Sequence, residues 1–186
     1  MVRIELASGG TATVVAFDKV GNAAELLALA RAGKSAAVLL DAKAVHSLFA
    51  LHSATTRAHS AHVAGTMSSN AVTTEIMLSL APKKSIANAL KTFGIGEATQ
   101  RMLAVLLPSE ADGNVDEAEI DALVAQVQAT VVGRGDGETD VVDAFIRDAC
   151  DAEMLVKTYK LTDAERATSE SVERAVLGRM ALREVA

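Results

Sequence analysis

Apolar residues in the first 107 positions fall into short runs that predict β-strands. Residues 3–8, RIELAS, and 11–17, TATVVAF, flank a Gly-Gly pair that is typical of a hairpin turn. Residues 35–42, SAAVLLDA, form an unbroken apolar run, which predicts a central strand buried on both faces. Residues 101–107, RMLAVLL, predict another buried strand. Because helical patterns separate these runs, the chain indicates an α/β fold with a small mixed sheet of about four strands packed with several helices.

Between and after these strands, the hydrophobic spacing is that of amphipathic helices. Residues 22–33 begin at Asn22, a favourable N-cap, and end at Gly33, a typical C′ residue. Residues 45–65 also have helical length. Further helices are predicted at residues 71–80 and 85–94 and within residues 109–128, 141–159 and 171–185, with a capping box at Thr162 and Glu165. Without an internal repeat or an obvious linker, we predict a single domain over residues 1–186, with a glycine-rich acidic loop near 133–140.

The amphipathic stretch at residues 75–95 is interrupted in its middle. Pro82 cannot continue a helix, and Ser85 is a favourable N-cap for a new one. The second helix has apolar residues at i, i+3, i+4 and i+7 from Ile86 and stops at Gly94. Two interpretations are open at this point: two short core helices joined by an exposed turn, or a recognition surface at the turn.

Charge is unevenly distributed along a chain whose net charge is −6. Residues 55–108 carry a net charge of +3, whereas residues 109–153 carry −11. The acidic block argues against a general nucleic-acid-binding protein, since such proteins carry broad positive surfaces. The basic middle of the chain allows a local contact with an anionic partner.

Composition is typical of a soluble globular protein. Half of the residues are hydrophobic but only 3% are aromatic, so aliphatic side chains must build the core. Cys150 is the single cysteine, which excludes an internal disulfide and a cysteine-based zinc site. No apolar run reaches the roughly 20 residues that a membrane span needs. We therefore expect a soluble protein of the cytoplasm, and of the nucleus as a second location, with no membrane partner.

Side chains that could carry catalysis do not form a convincing motif. Residues 32–35, AGKS, lack the first glycine of a phosphate loop and follow a predicted helix instead of a strand. The acids beside Cys150 raise a thiol pKa, which argues against a nucleophile. One predicted helix holds His46, His52, His59 and His62. These are more simply half-buried structural residues than metal ligands. We predict no catalytic residue, metal site or cofactor, and a small metal-dependent enzyme that uses this helix stays an alternative.

Four segments, taken in order, resemble one known family. They are residues 35–58, SAAVLLDAKAVHSLFALHSATTRA; 70–107, which contains LSLAPKKSIANALKTFGI; 156–165, VKTYKLTDAE; and 172–185, VERAVLGRMALREV. On these segments the chain is similar to the PRPK-binding protein family (TPRKB-like), the small subunit of the KEOPS/EKC complex. The resemblance covers nearly the whole chain and is weakest at residues 109–150.

This resemblance implies a non-catalytic subunit that binds and stimulates a small atypical kinase/ATPase of the Bud type. It implies contact with the other KEOPS/EKC subunits through that kinase. It further implies help in recruiting tRNA, through the 3′ CCA end, for threonylcarbamoyladenosine modification next to the anticodon. A scaffold or interaction protein of an unrelated complex stays a second alternative.

The interrupted stretch and the last helix supply the predicted contacts. Two short helices that meet at a proline can direct some apolar side chains toward the sheet and others toward a partner. The residues predicted to bind the kinase are Ile76, Leu80, Ile86, Leu90, Phe93, Arg179 and Met180. The residues predicted to bind tRNA, chosen as positive charges of the basic region, are Arg57, Lys83, Lys84 and Lys91.

Overall fold

Five strands form one antiparallel sheet in the part of the chain that the structure describes. The computed structural model describes residues 1–109, 113–133 and 138–182. The strands are β1 (Val2–Glu5), β2 (Thr11–Asp18), β3 (Val38–Asp41), β4 (Met102–Leu106) and β5 (Thr130–Val132). Their order is β1-β2-β4-β3, and β5 pairs with the second half of β2 on the edge whose first half pairs with β1.

The predicted α/β fold, the first hairpin and the β4 strand are confirmed, but two expectations about the sheet were wrong. Every strand pair is antiparallel, so the sheet is not mixed. The strand predicted to be central, β3, lies at an edge, where Leu40 makes one isolated bridge to Gly94. The sequence also gave no indication of β5, because its three residues merge into the glycine-rich segment that follows.

Eight α-helices accompany the sheet within the described ranges. They are α1 (Ala23–Arg31), α2 (Leu48–Val63), α3 (Val72–Leu80), α4 (Ile86–Phe93), α5 (Glu117–Gln126), α6 (Thr139–Ala149), α7 (Ala152–Tyr159) and α8 (Ser169–Leu182). No described helix is long and apolar enough to cross a membrane.

Helices cover both faces of the sheet, which explains the unbroken apolar runs. Val14 and Ala16 of β2 belong to the larger core, which contains residues of α2, α3, α4, α6, α7 and α8. Val15 and Phe17 point to the opposite face and belong to a smaller core with residues of α1 and α5. An edge strand such as β3 is therefore as apolar as a central one, since burial here comes from helices above and below the sheet.

Several predicted helix boundaries are confirmed by their capping contacts. The amide of Asn88 donates to Ser85 Oγ at 3.4 Å, and Gly94 ends α4. The amide of Thr162 donates to Glu165 Oε2 at 2.8 Å, while the amide of Glu165 donates to Thr162 Oγ1 at 3.4 Å. These reciprocal contacts form the capping box expected from the sequence.

Two predicted helical segments have different boundaries in the structure. The stretch expected to be helical over 141–159 is divided into α6 and α7, because Cys150 has an extended backbone and Asp151 caps α7. His46 precedes α2, so the four histidines do not share one helix. Of the predicted loop near 133–140, residues 134–137 lie outside the described residues, and α6 already begins at Thr139.

Candidate functional site at the break between α3 and α4

The turn between α3 and α4 is fixed by a proline and by a tyrosine from a distant helix. Helix α3 ends at Leu80, and Ala81 has an extended backbone, as expected before Pro82. Pro82 has no amide hydrogen with which to continue the helical ladder. The carbonyl of Leu80, which a continuing helix would pair with the amide of residue 84, accepts a hydrogen bond from the hydroxyl of Tyr159 at 2.8 Å.

Only part of the apolar stripe of helix α4 is buried. Ala89 and Phe93 are buried against the larger core. Ile86 and Leu90, one turn apart, are 41% and 44% exposed. Large aliphatic side chains on a helix that is already anchored by a buried phenylalanine are not needed for the core of this chain. They form a small apolar surface that can lose more water only by contact with another molecule.

Three lysines border this apolar pair. Lys83 and Lys84 lie in the turn before α4, Lys91 lies in its last turn, and all three residues are exposed. We call the five residues Lys83, Lys84, Ile86, Leu90 and Lys91 the α4 patch. The helix has eight residues and is therefore about 12 Å long, so the cations and the apolar pair lie within one contact area.

Four of the seven residues predicted to bind a kinase lie in the core instead. The exposed fractions are 0% for Ile76, 1% for Leu80, 1% for Phe93 and 3% for Met180. The helical spacing correctly grouped them with apolar faces, but every residue of α3 from 75 to 80 is buried. A partner cannot reach these side chains while the helices stay packed. Ile86 and Leu90 are the apolar members of the predicted set that lie at the surface.

The two arginines in the predicted sets form hydrogen bonds with residues of other segments of the chain. Two guanidinium nitrogens of Arg57 donate to the carbonyl of Met180 at 2.8 and 2.9 Å, which fastens α2 to the end of α8. Arg179 forms a bidentate pair with Glu165, with both distances at 3.0 Å. The Arg179 hydrogen bond, followed by those from Thr162, lowers the pKa of Glu165 to about 2. Both arginines thus have structural contacts, and neither belongs to the α4 patch.

The chain matches a known protein family over most of its length. The family model described as kinase binding protein CGI-121 matches residues 17–184, which include every described helix and the strands β3, β4 and β5, together with the last two residues of β2. The chain belongs to the CGI-121 kinase-binding protein family. The resemblance inferred from its four sequence segments is thereby confirmed.

Relatives of this CGI-121 family member are subunits of one complex. The EKC/KEOPS complex subunit TPRKB of Danio rerio is 27% identical over 183 residues, which are 98% of this chain and 97% of the relative. The EKC/KEOPS complex subunit CGI121 of Gibberella zeae is 29% identical over 182 residues, covering 92% and 91%. The subunit CGI121 of Debaryomyces hansenii is 27% identical over 146 residues, covering 77% and 72%.

Histidines of this CGI-121 family member connect α2 to the first hairpin. His52 Nε2 lies 2.7 Å from the carbonyl oxygen of Glu5, and since a carbonyl only accepts, Nε2 is the donor. His59 Nδ1 lies 2.7 Å from Ser8 Oγ. Burial, and then the neighbouring His62, lower the pKa of His59. Across the three described ranges, no three His, Cys, Asp or Glu side chains are placed to hold a metal ion. The histidines therefore give the metal-dependent alternative no support.

Cys150 has the environment of an unreactive thiol. Burial, and then the charge of Asp151, raise the pKa of this thiol to about 11. The sequence identified the smaller of these two causes, the acidic neighbour, and missed burial. At neutral pH the group is protonated, which makes it a poor nucleophile.

Sequence reasoning did not predict two large apolar side chains at the surface or the long-range contact of Tyr159. Phe49 of α2 and Leu182 of α8 are 57% and 62% exposed. Phe49 falls outside the buried positions 51, 54 and 58, and this departure from the stripe could have been noticed on a helical wheel. Tyr159 could not have been found in this way, because its partner Leu80 is 79 residues away in the sequence.

Proposed function

We propose that the chain is a non-catalytic subunit of a KEOPS/EKC complex that binds and stimulates a small atypical kinase of the Bud type. The other subunits are reached through that kinase, in the cytoplasm or nucleus. Membership of the CGI-121 kinase-binding family supports the kinase contact, and the names of the relatives support the complex. We place the kinase contact on helix α4 because its residues Ile86 and Leu90 are exposed while the helix itself is anchored to the core.

The α4 patch has the properties of a protein-binding surface. Its centre is apolar, and buried contacts at the centre of an interface supply most of the binding free energy. Its border is cationic, which favours a partner with acidic groups around an apolar groove. Helix α4 is ordered before binding, because Ala89 and Phe93 hold it against the core, so little conformational entropy is lost on association.

ATP hydrolysis tests the proposed stimulation. Purified chain alone should hydrolyse no ATP, whereas a stoichiometric mixture with the Bud-type kinase should turn over ATP faster than the kinase alone. The measurement is steady-state phosphate release, with complex formation followed by size-exclusion chromatography. A lack of any complex with the kinase would contradict the proposal and favour a scaffold role elsewhere. Hydrolysis by the isolated chain that persists in Lys34→Ala would show a nucleotide site in this chain.

The lysines of the α4 patch support a second, weaker contact with the single-stranded 3′ CCA end of tRNA. Lys83, Lys84 and Lys91 are exposed cations located before and at the end of the eight-residue helix α4. Arg57 donates to the carbonyl of Met180 and does not belong to the α4 patch. Three contacts with a single strand give a log–log salt slope of about −2. The sequence-wide net charge of −6 opposes RNA binding, so affinity should be low until other subunits add contacts.

Charge reversal at Lys83 and Lys84 should remove most tRNA binding while the fold is retained. Losing two phosphate contacts should make the log–log salt slope shallower by about 1.4. The measurement is a titration of labelled tRNA, with and without its CCA end, at two salt concentrations. Arg31→Glu with Lys34→Glu is the matched control, because it changes the net charge equally at the end of α1, on the opposite face of the sheet. Equal loss in both double variants, or equal affinity for both RNAs, would refute a specific contact.

A further inference from the structure

Tyr159 links the end of α7 to the point where α3 stops. Its hydroxyl donates to the carbonyl of Leu80 at 2.8 Å, two residues before Pro82. The proline prevents the helix from supplying its own donors at this point, so a donor must come from elsewhere. Tyr159 provides one at the base of the turn that carries Lys83 and Lys84.

Water cannot easily replace this hydroxyl. Tyr159 is 2% exposed and Leu80 is 1% exposed, so both groups of the hydrogen bond are inside the protein. Burial raises the pKa of Tyr159, which keeps the hydroxyl protonated and able to donate. A buried carbonyl that loses its donor costs free energy, and the turn can avoid this cost only by moving the carbonyl toward water.

The end of α7 is itself held in place by contacts on both sides of Tyr159. Asp151 caps the start of α7, and its carboxylate accepts a hydrogen bond from the amide of Met154 at 3.0 Å. It ends with Lys160 in the left-handed conformation, with φ at 51°. Arg179 of α8 donates to the carbonyl of Lys160 at 3.2 Å. The tyrosine hydroxyl is therefore presented from a fixed helix end.

The far end of α4 is fixed as well. Gly94 makes an isolated β-bridge with Leu40 of β3, which ties the end of the helix to the sheet. A Cβ at position 94 would lie 2.6 Å from the carbonyl oxygen of Leu90, so a larger residue cannot take this backbone position. Helix α4 is thus tied to β3 at its C-terminal end, and the turn at residues 81–85 before it adjoins the Tyr159 contact with Leu80.

We propose that Tyr159 is a positioning residue for partner binding: its hydrogen bond to Leu80 fixes the turn at 81–85 and so orients the α4 patch. The inference rests on the proposed kinase contact of that patch. Tyr159 touches no partner itself. It reduces the number of orientations of α4, so the orientation that binds is more populated in the free protein.

Tyr159→Phe tests this role because it removes the hydroxyl and keeps the ring. The variant should fold, and the amides of residues 81 and 83–85 should exchange with deuterium about tenfold faster than in the unchanged chain. Affinity for the Bud-type kinase should fall about fivefold, in proportion to the smaller population of the binding orientation. The readouts are hydrogen exchange on the free chain and a binding isotherm with the kinase.

Ile120→Val is the matched control, since it removes one buried methylene from the smaller core, on the other face of the sheet. It should lower the melting temperature while leaving kinase affinity and exchange at 81–85 unchanged. Unchanged exchange in Tyr159→Phe, or equal affinity losses in both variants, would overturn the positioning role. If the unchanged chain does not bind the kinase, the proposed function fails, and exchange in the free chain still decides whether Tyr159 fixes the turn.

Discussion

Leu90→Glu is expected to abolish stable binding of the kinase without unfolding the chain. Leu90 is 44% exposed on α4, so a glutamate there stays in water in the free protein. In the complex the carboxylate would be desolvated at the centre of the apolar contact. We expect a loss of about 2–4 kcal/mol of binding free energy, which weakens the affinity by about 30- to 1000-fold.

The measurement is an isotherm with purified kinase, together with circular dichroism to show that the variant is folded. Leu182→Glu is the matched control, because Leu182 is 62% exposed but lies in α8. It should bind like the unchanged chain. Normal binding by Leu90→Glu, with loss in Leu182→Glu, would place the kinase on the α8 side of the protein.

Leu80→Glu is expected to unfold the protein, although it introduces the same side chain only ten positions away. Leu80 is 1% exposed in the larger core, with no room for water around a carboxylate. The substitution loses the burial of leucine and leaves a charge without a partner. We expect the free energy of unfolding to fall by about 4 kcal/mol or more, a large part of the stability of a domain of this size.

Urea unfolding followed by circular dichroism measures this loss. Leu80→Met, which conserves volume and apolarity, should cost less than about 1.5 kcal/mol and serves as the control. A Leu80→Glu protein that unfolds at the same urea concentration as the unchanged chain would contradict the burial of this residue. Leu80 would then again be a candidate for contact with the kinase.

The contrast between these two leucines shows what the local pattern could and could not predict. The periodicity correctly predicted that Leu80 and Leu90 lie in helices, and the proline correctly predicted the break between them. Periodicity gives the apolar side of a helix but not the number of elements around it. Residues 75–80 of α3 are all buried, whereas α4 buries Ala89 and Phe93 and leaves Ile86 and Leu90 exposed, and this difference depends on tertiary packing.

Long-range hydrogen bonds account for most of the site that sequence reasoning missed. Arg57 was predicted as an RNA contact from its charge, yet its guanidinium donates to Met180, 123 residues away. Arg179 was predicted as a kinase contact, yet it pairs with Glu165. The sequence alone does not distinguish an arginine that faces solvent from one that forms hydrogen bonds with a distant helix. Local capping contacts, such as that of Ser85, involve residues three positions apart and were therefore predictable.

The contact between His52 and the carbonyl of Glu5 has a consequence for the solubility of the protein. β1 is an edge strand, and an open edge offers unpaired amides and carbonyls to strands of other molecules. The imidazole of His52, on α2, donates a hydrogen bond to one of these carbonyls, that of Glu5. Arg3 and Glu5 add exposed charges along the same short strand. Together these groups oppose edge-to-edge pairing between copies, and so protect the protein against β-aggregation at high concentration.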